Sequence, residues 1–344
     1  MNGMNGATTE NVKARIMKGW KPNRYLTNMS MAYFANPTDW VATKIFPICP
    51  VALSTSYYYE FLKGDLARDN VQRKPAYGKV NPAIMGHTDH TYKCEVDQVI
   101  VGIDQIGTLD YQRSNAPSSI DPRRSKVRFT AEQMNLHLDV QFAQNYFKSG
   151  VWENEYTGIA SGTPSASQFL KFSDSNFDPV HFFNKLRREI KLNGRREPNK
   201  LALGYDAYIA LTEHPDILER VKYSGSTPNP AIVNKNVLAQ ILGIQEIAVL
   251  ESTYNVSEPG QEDDMQFICD SAGALLCYTT PSPAIDEPSA GYTFTWDMLG
   301  DGNYMATDQF EGENGTHTEF IEGLISTDMK KTADDLAIYL SECV

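Results

Sequence analysis

Three stretches decide the fold: Lys200-Leu-Ala-Leu-Gly-Tyr-Asp206, His214-Pro-Asp-Ile-Leu-Glu-Arg-Val-Lys-Tyr223 and Val237-Leu-Ala-Gln-Ile-Leu-Gly-Ile-Gln-Glu-Ile-Ala-Val-Leu250. The first opens as a short apolar strand, 200–204, followed by a helix over 206–212. The second is a helix over 215–222 begun by Pro, whose fixed φ suits a first helical turn. In the third, Asn234 supplies a cap, the helix runs to Leu242, and Gly243 ends it. Residues 245–250 then form a buried strand, with further strands at 265–269 and 274–280. Strands alternating with short helices predict a central sheet flanked by helices.

Working outward, Asp178-Pro179 marks another helix start, and Gly194 is expected as the residue just past its end. Upstream, Asp121-Pro122 opens the clearest helix, running to about Lys148. Val127, Ala131, Met134, Leu138 and Phe142 step by three and four, which buries one face. Residues 51–62 and 90–103 read as strands around a long polar connection, Lys63 to Pro75 at its start, dense in charges of both signs. Connections of that length are usually functional or disordered. Residues 1–50 mix polar stretches with isolated anchors such as Trp20, Tyr33 and Trp40, and Pro22, Pro37, Pro47 and Pro50 interrupt any long element. They read as an extended arm. After Pro283 the texture turns to β, with strands at 292–296, 304–308, 317–327 and 336–340.

Composition excludes more than it identifies. The chain has 344 residues, 41% hydrophobic and 22% charged, which is globular. Its 31 Lys and Arg against 43 Asp and Glu give a net charge of -12. That argues against a sequence-independent grip on nucleic acid, which rests on phosphate neutralisation, and against an anionic membrane surface. No stretch approaches ~18 uninterrupted apolar residues. Cys49, Cys94, Cys269, Cys277 and Cys343 are odd in number and form no Cys-x-x-Cys pair, so neither a disulfide framework nor a zinc site is expected.

Catalytic patterns are absent from the sequence as motifs. No phosphate loop, dinucleotide fingerprint or Gly-x-Ser-x-Gly elbow occurs. His87-Thr-Asp-His90 is the one tempting metal cluster, but strand alternation would aim its two histidines at opposite faces. His137, His181 and His214 fit structural or surface roles. Asp263-Asp264 and Asp334-Asp335 fit solvated turns. No catalytic residue, cofactor or metal is expected, and the chain is not expected to be an enzyme.

The segment from Gly204-Tyr-Asp206 through the His214-Pro215 helix to Leu238-Ala-Gln-Ile-Leu-Gly-Ile244 and its buried strand resembles the major capsid proteins of tailed bacteriophages. The match covers roughly 60 residues, and the order of parts agrees over most of the chain. The resemblance implies the α+β Hong-Kong-97-type capsid fold. It assigns 1–50 to an N-terminal arm and 51–98 to an extended E-loop. A peripheral domain takes 99–178 and 286–344, with a spine helix at 121–148, and 179–285 form an α/β axial domain. It implies self-assembly through hexamers and pentamers into an icosahedral shell around double-stranded DNA. A scaffolding protein, expected as a separate chain, a portal and a decoration protein are the implied partners. The implied place is the virion capsid, assembled in the host cytoplasm. Inter-subunit contacts are expected at Lys63, Asp65, Arg68, Asp69, Arg73 and Lys74 on the loop, and at Tyr223, Gly225, Pro228 and Pro230 on a loop at the capsomer centre. Two alternatives stand beside this reading: an encapsulin-type compartment shell, which shares the fold, and a soluble α/β enzyme.

Overall fold

The computed structural model describes residues 9–20, 26–27, 40–61, 68–74, 76–80, 82, 86–105, 122–224, 233–258, 260–284, 287–298, 305–313, 315 and 317–344. Two sheets share one long helix. The first sheet is built around strand β14 (Thr318–Lys331). β12 (Gly291–Trp296) and β13 (Met305–Glu311) pair antiparallel with successive parts of β14, β4 (Glu95–Asp104) pairs with it as well, and β1 (Ile48–Val51) adds parallel to β12. The second sheet has six strands in the order β6 (Gln168–Leu170), β5 (Glu155–Ile159), β15 (Ala337–Ser341), β11 (Ala274–Cys277), β7 (Lys200–Gly204) and β8 (Glu246–Leu250).

The central strands β15, β11, β7 and β8 are buried in nearly unbroken runs because both faces of the sheet are covered there. Leu201, Leu203, Ile247, Val249, Leu276, Ile338 and Leu340 point into one cluster. Helices Pro179–Gly194 and Lys235–Leu242 close that cluster with Phe182, Phe183, Leu186, Leu238 and Leu242. The alternate residues Ala202, Ala248, Leu250, Leu275, Cys277 and Tyr339 point into a second cluster. There they meet Ala131, Met134, Leu138 and Phe142 of the spine helix, Pro122–Tyr146. Met305, Ile325 and Met329 of the first sheet lie in the same cluster, so the spine helix is the wall common to both sheets.

That helix approaches β14 closely. A Cβ on Gly323 would sit 2.2 Å from Cγ2 of the fully buried Thr130. On the far face of the first sheet, Leu324, Phe294 and Trp296 form a third cluster with Val12, Tyr58 and Tyr92. Alternation along β14 explains the division, since odd and even residues leave on opposite faces.

Several local expectations meet the structure in detail. Asp178 accepts a hydrogen bond from the His181 backbone N–H at 3.0 Å, and Asn234 accepts one from Val237 at 2.9 Å. Gly243 adopts the left-handed conformation, φ 67°. The helix begun at Pro179 departs from expectation. Gly194 is its last residue, and the left-handed position is Arg195, φ 57°. Gly194 is small for a packing reason: a Cβ there would meet Leu336 at 2.4 Å. The expected cap Asp121 lies outside the described residues.

Three features add to the expectations. Within residues 1–50, read as an extended arm without a long element, Thr9–Met17 forms a short helix ahead of Pro22. It escapes periodicity because it seats essentially one residue, Val12, in the core. Strands β5, β6 and β15, sequence segments assigned to the peripheral region, hydrogen-bond into the six-stranded sheet with β7, β8 and β11. Conversely, β10 (Met265–Phe267) joins no central sheet. It pairs with β9 (Thr253–Asn255) as an exposed hairpin.

Candidate assembly surface

The hairpin of β2 (Thr55–Phe61) and β3 (His87–Lys93) is antiparallel, with Phe61 opposite His87 and Thr55 opposite Lys93. One face is anchored. Tyr58 and Tyr92, 6% and 2% exposed, lie over Phe294 with ring centroids 5.3 and 4.7 Å apart. Tyr58 also stacks on His90, whose Nε2 sits 2.8 Å from Glu60. Period-two alternation turns Tyr57 and Tyr59 outward, where they are 61% and 44% exposed. The sequence alternation around His90 is therefore that of a strand anchored by its aromatic face.

Beyond the hairpin, Arg68, Asp69, Arg73 and Lys74 are all exposed. Asp69 turns the chain locally by accepting the Val71 N–H at 3.0 Å. Val71 and Tyr77 beside them are exposed too. This chain's own core thus gains nothing from these apolar side chains, which suits residues whose partner lies elsewhere. Lys63 and Asp65 lie outside the described residues, as do Gly225, Pro228 and Pro230. Tyr223 is in the last turn of helix Pro215–Ser224. The structure therefore brings Arg68, Asp69, Arg73 and Lys74 onto one exposed segment and leaves the remaining expected contacts undescribed.

The Thr9–Met17 helix is held to the outer face of the first sheet by polar contacts that sequence reasoning missed. Arg15 donates twice to Glu322, both at 3.0 Å, and Glu322 is 2% exposed. Gln98 donates to the same carboxylate at 2.5 Å. The Arg15 guanidinium lies over Trp20, 4.4 Å from the ring centroid, and the Trp20 indole donates to Asp308 at 2.6 Å. Bidentate Arg–carboxylate geometry of this kind fixes orientation as well as contributing energy. The partners are about 300 residues apart in sequence, so no local pattern announces them.

At residues 41–42, Asp139 of the long helix ties its own element to two other chain segments. Its carboxylate accepts the backbone N–H of Val41 at 3.1 Å and of Ala42 at 2.7 Å, and the Ser252 hydroxyl at 3.3 Å. It thereby caps the short helix Ala42–Ile45. Burial pushes the acid up to about 6, against the pull of those hydrogen bonds. Phe46 follows at once and packs edge-on against Phe142 at 5.2 Å.

Groups that carry chemistry elsewhere are occupied structurally here. His214 is buried, with Nε2 3.2 Å from the Asp174 carbonyl, and its Nδ1 accepts the Asp216 N–H. His137 lies 3.5 Å from Asp97, whose hydrogen bond raises the imidazole above its ordinary range. Burial pushes the thiols of Cys94, Cys269 and Cys277 up to about 12. Among the described residues, no three His, Cys, Asp or Glu side chains are grouped to hold a metal ion.

No family model matches the chain. In sequence it is 26% identical over 284 residues to the major capsid protein of Burkholderia phage BcepMu, spanning 78% of this chain and 81% of that protein. In structure it superposes on a phage-related protein of Bordetella bronchiseptica RB50 with a TM-score of 0.71, at 19% identity, over 94% of this chain and 97% of that one. It also superposes on the capsid of cyanophage P-SCSP1u with a TM-score of 0.52, at 11% identity, over 88% of each chain. The two sheets sharing a spine helix, the anchored hairpin and these superpositions show the Hong-Kong-97-type capsid fold, in a chain similar in sequence to a phage major capsid protein.

Proposed function

We propose that the chain is the major capsid protein of a tailed phage, a structural subunit that assembles through hexamers and pentamers into an icosahedral shell around double-stranded DNA. The observation that carries this reading is the sequence relationship to a phage major capsid protein over most of both chains, on a fold of the same class. The role is structural rather than catalytic. In this reading residues 1–50 are the arm, 51–98 the E-loop, 99–178 with 286–344 the peripheral domain, and 179–285 the axial domain. The sheet pairing found for β5, β6 and β15 ties the last two together through a common β-sheet.

The exposed charges Arg68, Asp69, Arg73 and Lys74, with Lys63 and Asp65, set the register of the loop on a neighbouring subunit. Mixed-sign charge selects orientation and suppresses wrong partners more than it adds affinity. Tyr223, Gly225, Pro228 and Pro230 contribute contacts at the capsomer centre. Each contact can be weak, since many act together in a closed shell. The net charge of -12 lets the shell enclose DNA without gripping it. A separate scaffolding protein, a portal and a decoration protein are the partners this function calls for, with assembly in the host cytoplasm.

The test is direct. Purified protein, produced with and without its neighbouring gene products, is examined by sizing chromatography and negative-stain microscopy. Closed particles support the reading. A small soluble oligomer under every condition refutes it.

A further inference from the structure

Charge is distributed along this chain with a sign asymmetry that the shell reading alone does not explain. No Lys or Arg occurs between Glu251 and Met329. Within that stretch the β9–β10 hairpin carries Glu258, Glu262, Asp263 and Asp264, all exposed. The same hairpin exposes Val256, Met265 and Phe267, at 47%, 59% and 38%. The opposite sign is concentrated on and just after helix Pro179–Gly194, where Lys185, Arg188, Lys191, Arg195 and Arg196 are exposed. Leu192 stands among them, 72% exposed.

These two surfaces are rooted on opposite sides of the six-stranded sheet. The helix buries Phe182, Phe183, Leu186 and Ile190 in the cluster on one side. The hairpin's own Tyr254 and the flanking Leu250 and Ile268 pack into the cluster on the other. A basic surface with an exposed apolar residue on one side thus answers an acidic surface with exposed apolar residues on the other. Apolar contacts inside a polar rim are the anatomy of a protein interface. Complementary patches on opposite sides of one chain are what a head-to-tail contact needs, and a head-to-tail contact that closes generates a ring.

We infer that the basic face of helix Pro179–Gly194 docks on the acidic β9–β10 hairpin of a second copy of this chain, and that this contact sets the head-to-tail order of subunits within a capsomer. The inference rests on the shell-forming reading and names one of its interfaces.

Charge reversal tests it. Lys185→Glu, Arg188→Glu and Lys191→Glu together make the helix acidic, and Glu258→Lys, Glu262→Lys and Asp264→Lys together make the hairpin basic. Circular dichroism and thermal melting first establish that both variants fold. Each alone then juxtaposes like charges, and its threshold concentration for assembly rises at least tenfold, or about 1.4 kcal/mol per contact. Mixing the two in equal amounts restores six-membered rings, because an acidic helix meets a basic hairpin at one contact and the native pair recurs at the next. All six substitutions in one chain restore five- and six-membered rings alike. Assembly of either variant alone at the wild-type threshold, or no recovery on mixing, overturns the inference. Failure of the wild-type chain itself to assemble under any condition overturns instead the reading on which it rests, so the two failures are distinguishable.

Discussion

Asp139→Asn changes a group that holds the arm junction to the spine helix, and its consequence depends on pH. Asp139 is 1% exposed and titrates at about 6, against an ordinary value of 3.8, because burial penalises the carboxylate. Between about pH 3.8 and 6 the folded subunit keeps this proton while the unfolded chain has released it. The folded state binds more protons across that window, so stability falls as pH rises through it. The contribution is fully present below about 3.8 and is lost above about 6. A gap of about two pH units at 1.36 kcal/mol each is worth about 3 kcal/mol. Asn carries no charge and lacks this slope. Its carboxamide retains one acceptor oxygen for the Val41 and Ala42 N–H groups, so at acid pH the variant is less stable by about 1–2 kcal/mol. Urea denaturation of dilute, unassembled subunits at pH 4 and pH 7.5 measures both. The deficit of the Asn variant reverses into a small advantage at pH 7.5, a swing of about 2–3 kcal/mol. A deficit equal at both pH values refutes the argument that burial dominates at Asp139.

Three other outcomes follow from particular contacts. Gly323→Ala forces a Cβ against Thr130 and lowers subunit stability by about 1–3 kcal/mol, and Thr130→Ser, which removes the opposing methyl, recovers part of the loss in a double-mutant cycle read by thermal unfolding. Deleting Asp65 to Lys74 leaves a folded subunit with unchanged circular dichroism that forms no stable closed shell, and normal shells in electron micrographs of that deletion would sink the proposed role of the loop. The raised thiols of Cys94, Cys269 and Cys277 resist iodoacetamide at pH 8 in the folded subunit and react on denaturation, as mass spectrometry of the labelled protein reports.

Sequence reasoning reached the elements whose causes are local. The spine helix declares itself through the three-and-four spacing of Val127, Ala131, Met134, Leu138 and Phe142, every one of them buried. Asp178 and Asn234 are readable as caps because capping is a contact three residues long. Sheet membership was not readable, since β5 and β6 are five and three residues long and find their partners through β15, some 180 residues away. The Thr9–Met17 helix is polar on most of its surface and owes its position to Glu322 and Asp308, supplied by distant strands. Gly194 illustrates a subtler miss: glycine was expected for its backbone freedom, and it is needed for the space it leaves to Leu336. For the assembly surface, charge density and loop length pointed to residues 63–74. The acidic hairpin at 253–267 escaped because 265–269 reads as a further strand of the central sheet and Asp263-Asp264 as a solvated turn.

If this chain builds a closed shell by physical association, its assembled form is that shell. A cryo-electron microscopy reconstruction of the assembled protein tests it most directly. The expected result is a closed icosahedral particle whose five- and six-membered rings each accept this fold, with the β2–β3 loop reaching onto a neighbouring subunit. A reconstruction showing an open filament, or subunits whose loops fold back on their own chain, would contradict it.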